Sequence, residues 1–106
     1  MPAEIKLTDE QMKMIDTMTQ ALPFLRKEIG INQTELAKKV GVTRQTISLI
    51  ERRQQNMTWT LFLAIVFFFK SNNNFDRKSG KIIKKHPNVV EQMMLLNDRL
   101  NNPKED

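Results

Sequence analysis

Arg44, Gln45, Thr46 and Ser48 stand within five residues of one another and carry the most concentrated hydrogen-bonding chemistry in the chain. The guanidinium of Arg44 offers paired donors in a fixed fork, and the carboxamide of Gln45 offers a donor beside an acceptor. These groups match guanine and adenine edges bidentately, each pair being worth roughly 1–3 kcal/mol of discrimination against a wrong base. The hydroxyls of Thr46 and Ser48 donate or accept as required. Such chemistry works only if the side chains leave one slender element, because the major groove is about 12 Å wide and admits a single helix.

The stretch NQTELAKKVGVTRQTISLIE, residues 32–51, supplies that element and its support. Asn32 is an N-cap, with Glu35 three residues on where its carboxylate reaches back to the cap. Leu36, Ala37 and Val40 then give the first helix a small apolar face, and Lys38 and Lys39 point away from it. Gly41 suits the left-handed C-cap that ends the helix, and Thr43 caps a second one beginning at Arg44. That helix buries Ile47 and Ile50. Its other face shows Arg44, Gln45 and Ser48, with Thr46 and Arg52 on the flank. The free N–H groups and partial positive charge of the helix start favour a phosphate.

Extended to LRKEIGINQTELAKKVGVTRQTISLIE, the segment resembles the Cro/repressor (xenobiotic-response-element) class of bacterial and phage helix-turn-helix proteins. Looser matches carry the resemblance over roughly residues 18–70. It implies an all-α bundle containing a λ-repressor-like DNA-binding domain, with the helix 44–51 in the major groove. It also implies that Gln33 and Thr43, beside Asn32, touch the phosphate backbone, and that Arg26 pairs with Glu51 to clamp the reading helix to the body. The chain departs from the pattern at Arg53, where the family carries glycine, at Met57, where proline is frequent, and at Leu49, usually polar. Arginine resists positive φ, yet here it adds cationic reach. Arg52, Arg53, Gln54, Gln55 and Asn56 are therefore candidate phosphate or minor-groove contacts.

Composition narrows the alternatives. One hundred and six residues suffice for one domain with appendages. With no cysteine, disulfides, thiolate metal sites and a thiol nucleophile are excluded, and the chain suits a reducing cytoplasm. The single histidine, His86, cannot build a metal site alone and reads as a helix-entry residue before Pro87. No nucleophile and base, glycine-rich phosphate loop or ligand cluster points to an enzyme, and no cofactor or metal is expected. The net charge of +5 favours a polyanionic partner. The start of the chain, MPAEIKLTDE, is too polar and acidic for a signal peptide.

Around this centre, residues 1–17 read as a helical extension leading into the 18–70 domain. A helix is expected over 8–29, capped at Thr8 with Gln11 in the box position, its stripe being Met12, Ile15, Met18, Leu22, Leu25 and Ile29. Pro23 predicts a break or kink near Ala21 and Leu22. Thr58 caps a helix from Trp59 to about Phe69, too short to cross a bilayer and apolar on more sides than one small domain can cover. Residues 71–86, with three asparagines, a Ser-Gly pair and six cations from Lys70 to Lys85, read as a basic linker or short hairpin. Pro87 opens a helix to about Asn101, with Val89, Met93, Leu96 and Leu100 in one stripe and Val90, Met94 and Leu95 beside it, before a polar tail to residue 106. The whole predicts a sequence-specific DNA-binding regulator, a repressor by simple occlusion, homodimeric on a near-palindromic operator, without membrane contact. The competing expectation is a helical protein-binding module, such as an antitoxin or adaptor subunit.

Overall fold

The structure, a computed structural model, describes residues 6–101, with side chains through Leu96. The first residues of the expected N-terminal extension, the Leu100 side chain of the last stripe and the polar tail beyond Asn101 lie outside what is described. Among the described residues there are six helices and no strand: α1 (Asp9–Glu28), α2 (Gln33–Val40), α3 (Arg44–Glu51), α4 (Trp59–Lys70), α5 (Asn73–Lys85) and α6 (Pro87–Asn101). The all-α expectation holds.

Helix α1 starts where its cap demands, with the Thr8 hydroxyl accepting from Gln11 N at 3.0 Å and the Gln11 carboxamide accepting from Thr8 N at 2.8 Å. Ile15, Met18, Leu22, Leu25 and Ile29 are buried, while Met12 is half exposed at the edge of the stripe. Of the break or kink expected near Ala21 and Leu22, the break does not occur: one helix runs through Pro23. An interior proline costs about 3 kcal/mol, but Ala21, Leu22, Leu25 and Arg26 are buried on either side of it, and that packing outweighs the missing hydrogen bond. Residue 18 is consequently no boundary, because the extension and the body share α1.

Helix α4 forms the middle of the core. Phe62, Ile65 and Phe69 are fully enclosed, Trp59 stacks on Phe62 at 4.8 Å and Phe69 meets Phe75 at 5.5 Å. The surplus apolar faces expected of α4 are real, with Leu63 partly open and Phe67 74% exposed. Residues 71–86 correct the linker-or-hairpin expectation. They form α5, capped by the Asn72 side chain, which accepts from Phe75 N at 3.0 Å. Phe75 and Ile82 are two turns apart and both buried, so the segment is amphipathic with a helical period, and the asparagines that resemble punctuation are its cap. Its final cap is His86, which therefore ends α5 as well as preceding α6. Burial of the imidazole, with Lys85 beside it, holds the His86 pKa below its ordinary value. Helix α6 lies on α1 and α5, burying Val89 and Met93, and Gln92 Nε2 donates to Met14 O at 3.0 Å. Met94 and Leu95 remain exposed. The terminal helices thus enlarge the core and leave an apolar margin outside it.

Candidate nucleic-acid interface

Two caps and one glycine set the crossing of α2 and α3. Asn32 Oδ1 accepts from Glu35 N and Glu35 Oε1 accepts from Asn32 N, both at 2.8 Å, closing the predicted capping box. Gly41 ends α2 at φ 83°, a conformation that costs L side chains about 1–2 kcal/mol, and its N–H donates to Ala37 O at 2.9 Å. Thr43 Oγ1 then accepts from Thr46 N at 3.2 Å, capping the start of α3, and lies 3.1 Å from the Thr46 hydroxyl. Beneath them Leu36, Ala37, Ile47 and Ile50 are buried.

Helix α3 is thereby divided by face. Arg44 and Gln45 are exposed, whereas Thr46, Ser48 and Leu49 are half-buried. The first turn projects the two long side chains best suited to base edges, and the shorter hydroxyls sit behind them. The Thr46 hydroxyl is already engaged with Thr43, and the Ser48 carbonyl accepts from Arg52 Nε at 3.5 Å.

A buried ion pair braces the other end of α3. Arg26 Nε donates to Glu51 Oε2 and Arg26 Nη2 to Glu51 Oε1, both at 2.9 Å, in the fork-to-fork geometry that arginine favours. The two side chains are 9% and 6% exposed, which makes this a bridge inside the fold. The third guanidinium nitrogen, Nη1, donates to Ile31 O at 3.1 Å and ties in the turn before α2. Gln33 Nε2 donates to Glu51 Oε1 at 3.0 Å, a link that sequence reasoning missed because it joins positions 18 residues apart. Gln33, a candidate phosphate contact, is thus held half-buried in the clamp, whereas Asn32 and Thr43 are exposed.

The loop after α3 keeps the backbone path that a glycine would take. Arg53 has φ 61°, the left-handed region, and its N–H donates to Ile50 O at 2.9 Å. Its guanidinium turns toward α1 and pairs with Asp16 at 2.5 Å, in a half-exposed bridge. Asp16 is a residue that sequence reasoning missed, there being no local signal for a partner 37 positions away. Arg52, Gln54, Gln55 and Asn56 are exposed, and Gln55 and Asn56 line a cleft over Ile15 and Met57. Among the described residues no group of histidines or carboxylates is placed to hold a metal. No helix among them is long and apolar enough to cross a membrane.

This geometry is that of a helix-turn-helix domain, and comparison with known proteins agrees. The family model described as Helix-turn-helix matches residues 24–58, from the second half of α1 to the cap of α4. Antitoxin HipB of Escherichia coli K12 is 39% identical over 49 residues, which cover 46% of this chain and 56% of that protein. An uncharacterized HTH-type transcriptional regulator of Methanothermobacter thermautotrophicus is 63% identical over 27 residues, covering 26% of this chain and 39% of that one. The matches therefore span about half the length of these curated relatives or less, and they centre on the helix-turn-helix. No solved structure matches the chain significantly.

Proposed function

We propose that the chain is a sequence-specific DNA-binding regulator of transcription that acts as a repressor by occlusion, in the cytoplasm and without enzymatic activity of its own. The observation that carries this reading is the division of α3: Arg44 and Gln45 stand exposed on its first turn while Ile47 and Ile50 are wholly buried and Glu51 is clamped from behind. A helix so fixed meets a duplex with little further loss of conformational freedom, which favours affinity. In this reading Arg44 and Gln45 contact base edges, with Ser48 and Thr46 at the margin. Asn32, Gln33, Thr43, Arg52, Arg53, Gln54 and Gln55 position the phosphate backbone. One short helix reads only a few base pairs, so the reading includes a homodimer on a near-palindromic operator with half-sites about 34 Å apart.

The second reading makes the same bundle a subunit that binds a protein, as an antitoxin or adaptor does. The similarity to antitoxin HipB and the exposure of Phe67, Met94 and Leu95 favour it. The two readings are compatible if the apolar margin holds the partner and α3 holds DNA. The deciding experiment is enrichment of bound molecules from a pool of random duplexes by the full chain. Recovery of a common motif with two-fold symmetry supports the regulator; recovery of no duplex at low salt leaves the partner-binding module.

A further inference from the structure

Helix α5 is divided into three sectors. Phe75 and Ile82 face the core and are buried. At about 100° per residue, Arg77, Lys78, Lys81, Lys84 and Lys85 fall within about 120° of arc on one flank, and Asp76, Gly80 and Ile83 fall on the other. All five cations are exposed.

Stability within the chain explains only part of this stripe. Lys84 and Lys85 occupy the last turn, where the helix dipole favours cations. Lys81 reaches Glu28 Oε1 at 3.1 Å. Arg77 leans on the side chain of Asn74 within its own helix. Among the described residues no carboxylate pairs with Arg77 or Lys78, which also lie outside the last turn, and five like charges along one flank repel each other unless something anionic lies against them.

The position of the stripe indicates what that is. The Lys81–Glu28 bridge sets α5 beside the last turn of α1. From Glu28 the chain passes through Gly30 to Asn32 and Gln33, the start of α2, with Arg26 holding the turn at Ile31 O. Lys81 therefore lies beside the turn that leads to the start of α2, while His86 against Phe24 at 5.2 Å carries Lys84 and Lys85 back along α1. From Arg77 to Lys85 the helix rises about 12 Å, long enough for its cations to reach more than one phosphate along a strand. Lysines at such spacing neutralise phosphates without reading bases.

We propose that the basic flank of α5 is a second, sequence-independent contact to the phosphate backbone of duplex DNA, gripping the same duplex that α3 reads. This rests on the DNA reading of α3, and the test separates the two. In the full chain, Lys78→Gln, Lys84→Gln and Lys85→Gln are combined, which leaves the core and the Lys81–Glu28 bridge in place. Binding to the enriched duplex and to a scrambled one is then measured across a range of salt, with helicity by circular dichroism as the control for folding. The slope of log affinity against log salt becomes shallower by about 2–3, at roughly 0.9 for each phosphate that is no longer neutralised. Affinity at low salt falls about 10-fold or more on both duplexes alike, so the preference between them is unchanged, and the matching Lys→Arg triple variant retains the wild-type slope. A glutamine variant with unchanged slope and affinity overturns the second contact while leaving the reading of α3 intact. Failure of the wild type to bind any duplex overturns both.

Discussion

Glu51 accepts three hydrogen bonds, two from Arg26 at 2.9 Å and one from Gln33 at 3.0 Å, and it is the residue on which the placement of α3 depends. Removing one member of a buried pair leaves the other charge uncompensated, a larger penalty than losing both. Glu51→Ala is expected to destabilise the fold by about 3 kcal/mol in urea unfolding, and the double change Arg26→Met with Glu51→Leu by much less. Arg53 presents the reverse situation, a residue at odds with its own backbone. At φ 61° glycine is preferred to any L residue, so Arg53→Gly should be more stable than Arg53→Ala by about 1 kcal/mol, although both lose the Asp16 bridge. Equal stabilities would show that the loop relaxes out of the left-handed region. His86 gives the fold a pH dependence. Its folded-state pKa lies below the ordinary 6.5, so the neutral form is the one the fold prefers. That contribution is whole above about pH 6.5 and declines as pH falls through this value toward the folded-state pKa. Wild-type stability should therefore drop from pH 7.5 to 5.5 by more than that of His86→Gln, as judged by urea midpoints.

At the scale of elements, caps did most of the positioning. Thr8, Asn32, Thr43 and Thr58 each start a helix with a side-chain acceptor, and all four were legible because a cap and its apolar stripe lie within a few residues of each other. Helix α5 was not, although its own cap, Asn72, follows the same rule. Its asparagines and Ser79-Gly80 pair look like a turn, and only the spacing of Phe75 and Ile82 marks a helix. Gly80 is exposed inside that helix, and a Cβ there would meet nothing within 4 Å. Gly80→Ala should therefore raise stability by about 1 kcal/mol, seen as a higher urea midpoint with an unchanged slope. Gly41 is the contrasting case: it also has open space around it, but its positive φ makes it the required residue at the α2 cap. Pro23 suggested a break that does not form, because a proline's local cost was visible in the sequence and the burial that overrides it was not. The Arg26–Glu51 bridge was legible only through family resemblance, since nothing local joins positions 25 apart. The Gln33 and Asp16 links had no such guide.

At the scale of the molecule, the terminal helices complete a core and leave two unlike surfaces. One is the exposed start of α3 with the loop of Arg52 and Arg53 behind it. The other is apolar, with Phe67 exposed on α4 and Met94 and Leu95 exposed on α6. In our proposal the first makes this chain a reader of DNA and the second docks a protein neighbour, a further copy included. DNA reading depends most directly on Arg44 and Gln45, which can be removed without touching the core. The decisive measurement is a gel shift comparing wild type with the Arg44→Ala, Gln45→Ala double variant on the enriched duplex and on a scrambled one. The double variant is expected to lose at least ~30-fold in affinity for the enriched duplex, the sum of two bidentate pairs at their weakest, and little for the scrambled one. Equal affinity of the two proteins for the enriched duplex, at unchanged helicity, would contradict a reading role for α3.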